Sequence, residues 1–440
     1  MNLKYIFSHD FKHTLINQLV RLFSGPLILL LIPIYLTAPE QGYWFTIVSL
    51  AALSVFADLG FTTIILQFSA HEFAYLKFDD NKQIIGPSKY LERLSSLLHF
   101  SLKWSFKISM IAFPIILVIG YYILSQKNSQ GIIWTYAWLI YGSASILIFL
   151  NNIVISFIEG CNSVGDMQKI RFLITISNSI VIIIGLVLGF NLYALSFALL
   201  ISSLIGAFLI YSRYSTMLKQ LYYMKIISVY NWKEKILPLL GRYSISWISG
   251  YFIFSIFTPL VFHFYGPELA GKIGLSTALW VAVFGISNIW ITVILPKINM
   301  YISKKNYKDL NNIYYKHLTL SIVTFILGIV VFFILYYSFI NKYEFLHRFL
   351  EPFAMIFLAL GWLGQVIINT LAVYIRAHKV EPLVIPSVVT AIYIAITTLL
   401  IIKYLSFDYF FLGFLSSYIF GIPWIIIIFL RYQGGNYEVK

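Results

Sequence analysis

The sequence holds a single cysteine in 440 residues, Cys161, and few charged side chains, 11% of the total, with 17 acidic residues against 31 basic ones. One cysteine closes no internal disulfide, and Cys161 has no histidine or cysteine at metal-site spacing, so neither a disulfide framework nor a zinc site is expected. The shortage of charge excludes an ordinary soluble domain of this length, which needs far more polar surface. No small-residue cleavage site precedes the first apolar run after the amphipathic opening MNLKYIFSHDFKHT, so a removable signal peptide is not expected either.

What is present in excess is apolar side chain: 60% hydrophobic residues and 18% aromatic ones. A helix needs roughly 20 mostly apolar residues to cross a bilayer. Runs of that kind predict spans at 14–36, 42–69, 101–124, 132–159, 169–189 and 192–213, then at 238–264, 268–298, 314–340, 351–375, 384–404 and 408–431. The expected fold is therefore an all-α integral membrane protein, with twelve transmembrane helices in two repeated six-helix bundles around a central cavity. The expected boundaries are 1–213 for the N-terminal six-helix lobe, 214–237 for a cytoplasmic interfacial linker and 238–440 for the C-terminal six-helix lobe. The linker carries basic and aromatic residues suited to a membrane surface.

Two short stretches mark the repeat. LTAPEQGYW, at 36–44, and FYGPELAGK, at 264–272, each place a proline and an acid between two apolar runs: Pro39 with Glu40, and Pro267 with Glu268. Proline costs little at a helix start and an acid favours the positive end of the helix dipole, so both stretches read as helix starts. Two sixes of equal topology imply parallel repeats about an axis along the membrane normal, with a site between the halves.

Basic residues set the orientation. Of the 31, only Lys127, Lys272, Lys342, Arg348 and Lys403 fall on one side of the expected spans and Arg21 falls inside the first; the rest share the other side. That side is cytoplasmic by the positive-inside bias, which puts both termini there. The net charge of +14 is then spread over loops beside anionic lipid, and nucleic-acid binding is not expected.

No enzyme signature stands out. GPELAGK fits seven positions of a phosphate-binding loop, but Ile273 stands where Ser or Thr should bind magnesium, and the flanking runs are spans rather than strand and helix. No ATP is expected. HEFAY at His71 lacks the second histidine of a zinc helix, and Asp79 with Asp80 reads as a solvated loop pair.

Polar residues do recur at helical spacing inside spans: Asn17, Arg21 and Ser24 in the first, and Arg242, Ser246 and Ser249 in the seventh. Asn152, Ser156 and Glu159 line the fourth, and Gln365, Asn369 and Arg376 the tenth, while Asp58 in the second and Asn288 in the eighth stand at similar depth. Each stripe defines one helix face. Ionisable groups within a membrane normally face a bundle interior or a watery cavity, since lipid exposure costs at least ~2.5–3.5 kcal/mol. Helix-packing glue is the bland alternative for every serine and asparagine stripe. Arg242, Arg376 and Glu159 lie near span ends where they can snorkel, and Arg21 and Asp58 can pair with each other. Trp247, Trp280, Trp290 and Trp362 are candidate sugar-stacking surfaces among the ten tryptophans, and His263 reads as an interfacial histidine. Pro26, Pro33 and Pro259 are expected to kink matching helices, and GLVLG at 185–189 to pack helices closely.

The proline-rich LIPIYLTAPEQGYW, the stretch SLAALSVFADLGF from Ser49 to Phe61, and the two-by-six plan with its basic linker resemble the Wzx-type O-antigen and polysaccharide flippases of the multidrug/oligosaccharidyl-lipid/polysaccharide exporter (MOP) superfamily. The resemblance implies a non-enzymatic transporter of lipopolysaccharide biosynthesis. It would move an undecaprenyl-pyrophosphate-linked oligosaccharide between leaflets by alternating access, with membrane lipids around it and polysaccharide polymerase machinery as a candidate partner. It implies no cofactor, and leaves open whether a proton or sodium ion drives transport. The substrate-binding candidates are Arg21, Asp58, Arg242, Arg376, Lys272, Asn17, Asn152, Glu159, Ser246, Asn288 and Asn369. Among them Arg21, Arg242, Arg376 and Lys272 suit the pyrophosphate. The alternative is a drug or metabolite cation antiporter of the same superfamily, which should present an acidic lumen.

Overall fold

Peptide groups inside hydrocarbon must be hydrogen-bonded within the chain, and uninterrupted apolar runs meet that demand by forming helices. The computed structural model describes residues 24–127, 131–226, 230–378 and 380–433, the side chain of Arg242 excepted. In chain order α1 (Ser24–Tyr35) precedes α2 (Ala38–Ala51), a 3-10 turn (Ala52–Ser54), α3 (Val55–Asp58) and α4 (Phe61–Phe73). The antiparallel hairpin of β1 (Lys77–Phe78) and β2 (Ile84–Ile85) pairs Lys77 with Ile85 and Phe78 with Ile84. It leads to α5 (Ser88–Ser125), α6 (Thr135–Gly160), α7 (Val164–Val187) and α8 (Leu192–Tyr223). Then follow α9 (Trp232–Phe254), α10 (Phe257–Tyr265), α11 (Pro267–Ser303), α12 (Tyr307–Phe339), α13 (Pro352–Arg376), α14 (Val384–Tyr404) and α15 (Leu412–Gln433).

Among the described residues, 9 helices are long and apolar enough to cross a membrane, or up to 11 if two bent pairs are each one span. Large apolar side chains face outward on these helices: Ile111 is 62% exposed, Val118 69% and Phe208 69%. Such surfaces are stable against lipid and not against water, and the chain is a multi-pass membrane protein. Of the twelve expected spans, the first is described only as α1; residues 14–23 of it lie outside the described residues.

Two spans are broken, the second span unexpectedly and the seventh at the proline expected to kink it. The run 42–69 bends by 43° between α3 and α4, where Leu59 (φ 48°) and Gly60 (φ 83°) turn left-handed. The run 238–264 bends by 44° between α9 and α10. Pro259 explains the second break, since its ring crowds the carbonyl of Ser255 and offers no N–H to it.

The two proline stretches begin α2 and α11, as their composition predicts. At α2 the capping box is complete: Glu40 Oε2 accepts from the Thr37 N–H and hydroxyl, both at 2.8 Å, and the Glu40 N–H donates to Thr37 Oγ1 at 3.4 Å. At α11 Gly266 stands at the N-cap and Pro267 opens the helix with no side-chain cap. GLVLG divides its work. A Cβ on Gly185 would meet Ala194 Cβ at 2.7 Å, the close packing expected, whereas Gly189 supplies the left-handed turn (φ 77°) into α8.

The chain folds as two compact units, Met1–Ile248 and Ser249–Lys440, divided within α9. In the first unit Ile64, Ile65, Leu94, Leu97, Ile155 and Phe157 belong to a core that reaches Met217, Leu221, Trp232 and Ile236. The segment 214–237, expected as a surface linker, thus contributes buried apolar side chains to this core. The hairpin docks there too, with the Gln220 amide bonded to both the N–H and the carbonyl of Ile84 at 2.8 Å. Asp79 shapes its turn by accepting from the Asn81 and Gln83 N–H groups. In the second unit Ile294, Ile298, Leu310, Tyr314, Tyr374 and Phe429 form a separate cluster.

Two groups in these cores generate predictions. Glu72, 1% exposed, meets Arg93 Nη2 at 2.6 Å. Removing one partner of a buried ion pair costs about 3–5 kcal/mol, while replacing both by apolar residues is near neutral. Glu72→Ala is expected to lower the melting temperature in detergent sharply, and the double variant Glu72→Leu/Arg93→Met to recover most of it. His378, just beyond α13, donates from Nδ1 to the Tyr374 carbonyl at 3.1 Å, and its Nε2 is buried between the Tyr374 and Tyr432 rings with no partner among the described residues. Burial holds its pKa below 6.5. The unfolded chain therefore takes up the proton first, so stability falls as pH drops through about 6.5, and His378→Gln is expected to flatten a melting-versus-pH curve in that window.

Candidate binding cavity

A cavity of about 650 Å³ opens within the first unit. Its wall on α6 is a single stripe, Tyr141, Ser145, Ile148, Asn152 and Ser156, because these residues recur about one turn apart. The break after α3 faces that stripe with Ser54, Asp58, Thr62 and Thr63, α7 adds Arg171, and α9 adds Trp247.

The break is held by Asp58. Its Oδ1 accepts from the Thr62 N–H at 3.1 Å, and its Oδ2 from the Gly60 N–H at 3.2 Å and the Thr62 hydroxyl at 3.1 Å. These are donors that the start of α4 would otherwise leave unpaired in the membrane. Gly60 is required twice, for its left-handed backbone and because an added Cβ would stand 3.0 Å from Trp247 Nε1 and 3.1 Å from Tyr243 Cβ. The glycine thereby lets the Trp247 indole settle against the break, where it is 44% exposed.

Arg171 is paired as well. Its Nη2 donates to Glu159 Oε2 at 2.9 Å, while Glu159 Oε1 accepts from Gln168 Nε2 at 3.1 Å. Glu159, a candidate from its place on the fourth span, is thus the counter-ion of a cavity arginine.

Of the remaining candidates, Asn152 lines the cavity and Ser246 is half-buried beside Trp247. Asn288 and Asn369 lie in the second unit and bond to each other, Asn369 Nδ2 to Asn288 Oδ1 at 2.7 Å, in keeping with helix-packing glue. Arg376 is bidentate to Glu381 at 2.8 and 3.1 Å at the end of α13, and Lys272 pairs with Glu351 at 3.4 Å. Asn17 and Arg21, and the side chain of Arg242, lie outside the described residues, so the expected pairing of Arg21 with Asp58 does too. Trp280 is fully buried against Phe325 and Phe332 and offers no stacking face. Trp362 sits among Phe254, Phe284 and Phe414, and Trp290 donates to Thr324 Oγ1 at 2.8 Å. His263 is half-buried with its ring edge-on to Phe264.

Sequence reasoning missed Arg171 and Tyr141. Arg171 falls at the start of the expected span 169–189 and counted as a loop charge, but α7 begins at Val164 and carries it inside. Tyr141 was readable from its one-turn spacing to Ser145.

If Asp58 works as a cap, Asp58→Ala is expected to lower stability by about 0.5–2 kcal/mol and Asp58→Asn by much less, since the amide oxygen still accepts. Gly60→Ala is expected to destabilise by about 1–3 kcal/mol through backbone strain and its clash with Trp247. Thermal melting in one detergent, with the cavity-facing indole followed by fluorescence, checks all three.

No family model and no curated protein matches the sequence. Solved structures match in fold. The lipid II flippase MurJ in an inward closed conformation is 15% identical, over 96% of this chain and 89% of that one, with a TM-score of 0.68. An inward-facing multidrug resistance MATE family transporter of the MOP superfamily is 14% identical, over 92% and 98%, with a TM-score of 0.56, and an outward-facing one 14% over 97% and 97%, with 0.54. The chain thus shares its all-helical membrane fold with these transporters.

Proposed function

We propose that the protein is a transporter of the MOP superfamily that flips an undecaprenyl-pyrophosphate-linked oligosaccharide, an O-antigen or related repeat unit, from the cytoplasmic to the periplasmic leaflet of a bacterial inner membrane. The observation that carries this reading is the cavity: amide, hydroxyl and indole groups are gathered among membrane helices that have no other use for them. A lipid-linked sugar needs such a polar path for its head while its tail stays in lipid. Likeness of fold to a lipid II flippase is in keeping with it. Both termini are taken as cytoplasmic from the distribution of basic residues, and alternating access of two six-helix lobes as the mode of movement.

Export of cationic compounds is the second reading, which the MATE likeness supports. One observation counts against it: Glu159, an acid a cation would use, is committed to Arg171 at 2.9 Å. Deletion of the gene decides between them. Loss of surface polysaccharide with its lipid-linked precursor trapped on the cytoplasmic leaflet is the expected result, whereas normal polymer with increased sensitivity to cationic drugs would sink the flippase reading.

A further inference from the structure

The serines and threonines of these helices fall into two groups. Many spend their hydroxyl on their own helix, as Ser105 does on Ser101 O, Ser145 on Tyr141 O, Ser177 on Leu173 O and Thr397 on Tyr393 O. Such a side chain has used its donor and recruits nothing. Apart from Ser145 and Thr62, whose hydroxyls are spent on Tyr141 O and Asp58, the polar wall of the cavity differs. Asn152, Ser156, Tyr141 and Thr63 make no side-chain hydrogen bond to any described residue, although each stands inside a candidate span. A polar group left unpaired there costs free energy unless water or a ligand reaches it.

The charges of the same cavity are engaged. Arg171 is neutralised by Glu159, and Asp58 accepts three hydrogen bonds from the break it caps. What the described wall leaves free to a ligand is therefore an amide, several hydroxyls and the flank of an indole, with Arg171 paired to Glu159 and the Asp58 carboxylate turned onto the start of α4. An indole flank covers the apolar C–H face of a pyranose ring, and amide and hydroxyl groups exchange hydrogen bonds with ring hydroxyls. A volume of about 650 Å³ lies within the range of small-ligand sites.

We infer that this cavity of the first unit is a subsite for an uncharged saccharide, stacked on Trp247 and hydrogen-bonded by Asn152, Ser156 and Tyr141. It rests on the flippase reading for its natural ligand, the sugar head of the lipid-linked substrate. It goes beyond that reading in placing recognition of sugar hydroxyls within the first compact unit and in selecting against uronic acids and organic cations.

The test uses the purified full-length protein in lipid nanodiscs, titrated with glucose, galactose, N-acetylglucosamine, glucuronate and the cationic dye ethidium. Binding is read by calorimetry and indole fluorescence, with Trp247→Phe identifying the tryptophan that responds. At least one uncharged sugar is expected to bind, with glucuronate and ethidium about tenfold weaker or worse. Asn152→Leu and Ser156→Ala are each expected to weaken that sugar by roughly 3- to 10-fold. Melting curves confirm the fold of each variant, and Ser156→Ala with Trp247→Phe carries the measurement if Asn152→Leu does not fold. No sugar binding by the folded protein, preference for glucuronate or ethidium, or sugar binding that all three variants leave unchanged would each overturn the assignment. The deletion strain separates this from the flippase reading. Full export restored by Asn152→Leu and Ser156→Ala together, where the empty strain makes no polymer, keeps the flippase and removes the subsite. Variant-sensitive sugar binding with normal polymer in the deleted strain keeps the subsite and removes the flippase.

Discussion

Hydrocarbon solvates no polar group, and that single constraint organises this structure. Each backbone break must be repaired by a nearby side chain, and each buried charge needs an opposite charge or several donors. Where the α3 and α4 helices part at Leu59 and Gly60, the Asp58 carboxylate takes the N–H groups that would be orphaned. Where α7 brings Arg171 to the cavity wall, Glu159 is there to meet it. The cavity is the place where the constraint is relaxed, since its polar wall is left open on purpose or at a cost.

The break and the cavity are one construction. A straight helix through 38–73 would put its side chains at fixed one-turn intervals, whereas the 43° bend turns Asp58, Thr62 and Thr63 toward the stripe on α6. Gly60 makes room for Trp247, so a position with no side chain places the largest one on the wall. Local backbone conformation thus governs which chemical groups meet, and the apolar cores around Leu94, Ile155 and Trp232 hold the helices that carry them.

Much of this was legible before any coordinates. Long apolar runs located the described helices, most of their ends to within a few residues, because length and hydropathy alone satisfy the bilayer's demand, and Pro39 and Pro267 marked two helix starts. The stripe of Asn152 and Ser156 was visible as helical spacing. The bend at Leu59 was not, since Asp-Leu-Gly inside an apolar run can cap and break a helix or pass through it, and tertiary packing decides. Ion pairs were equally hidden. Arg376 with Glu381 and Lys272 with Glu351 showed in sequence only as lone cations, because a partner brought in from a following turn or another helix has no fixed spacing. Helix ends were the other weak point: α5 begins at Ser88, well before the expected 101, because Leu91, Leu94 and Leu97 bury an amphipathic extension that hydropathy alone reads as loop.

The central claim is that the chain carries a sugar head across the bilayer, and the most direct measurement is made in proteoliposomes. Purified protein is reconstituted with an undecaprenyl-pyrophosphate oligosaccharide bearing a fluorescent label on its sugar, and an impermeant quencher reports the leaflet in which the label resides. Protein-dependent transfer of label to the second leaflet, faster than in empty vesicles, is the predicted result. Label that stays in its original leaflet, in vesicles where the same protein moves a cationic dye, would contradict the account.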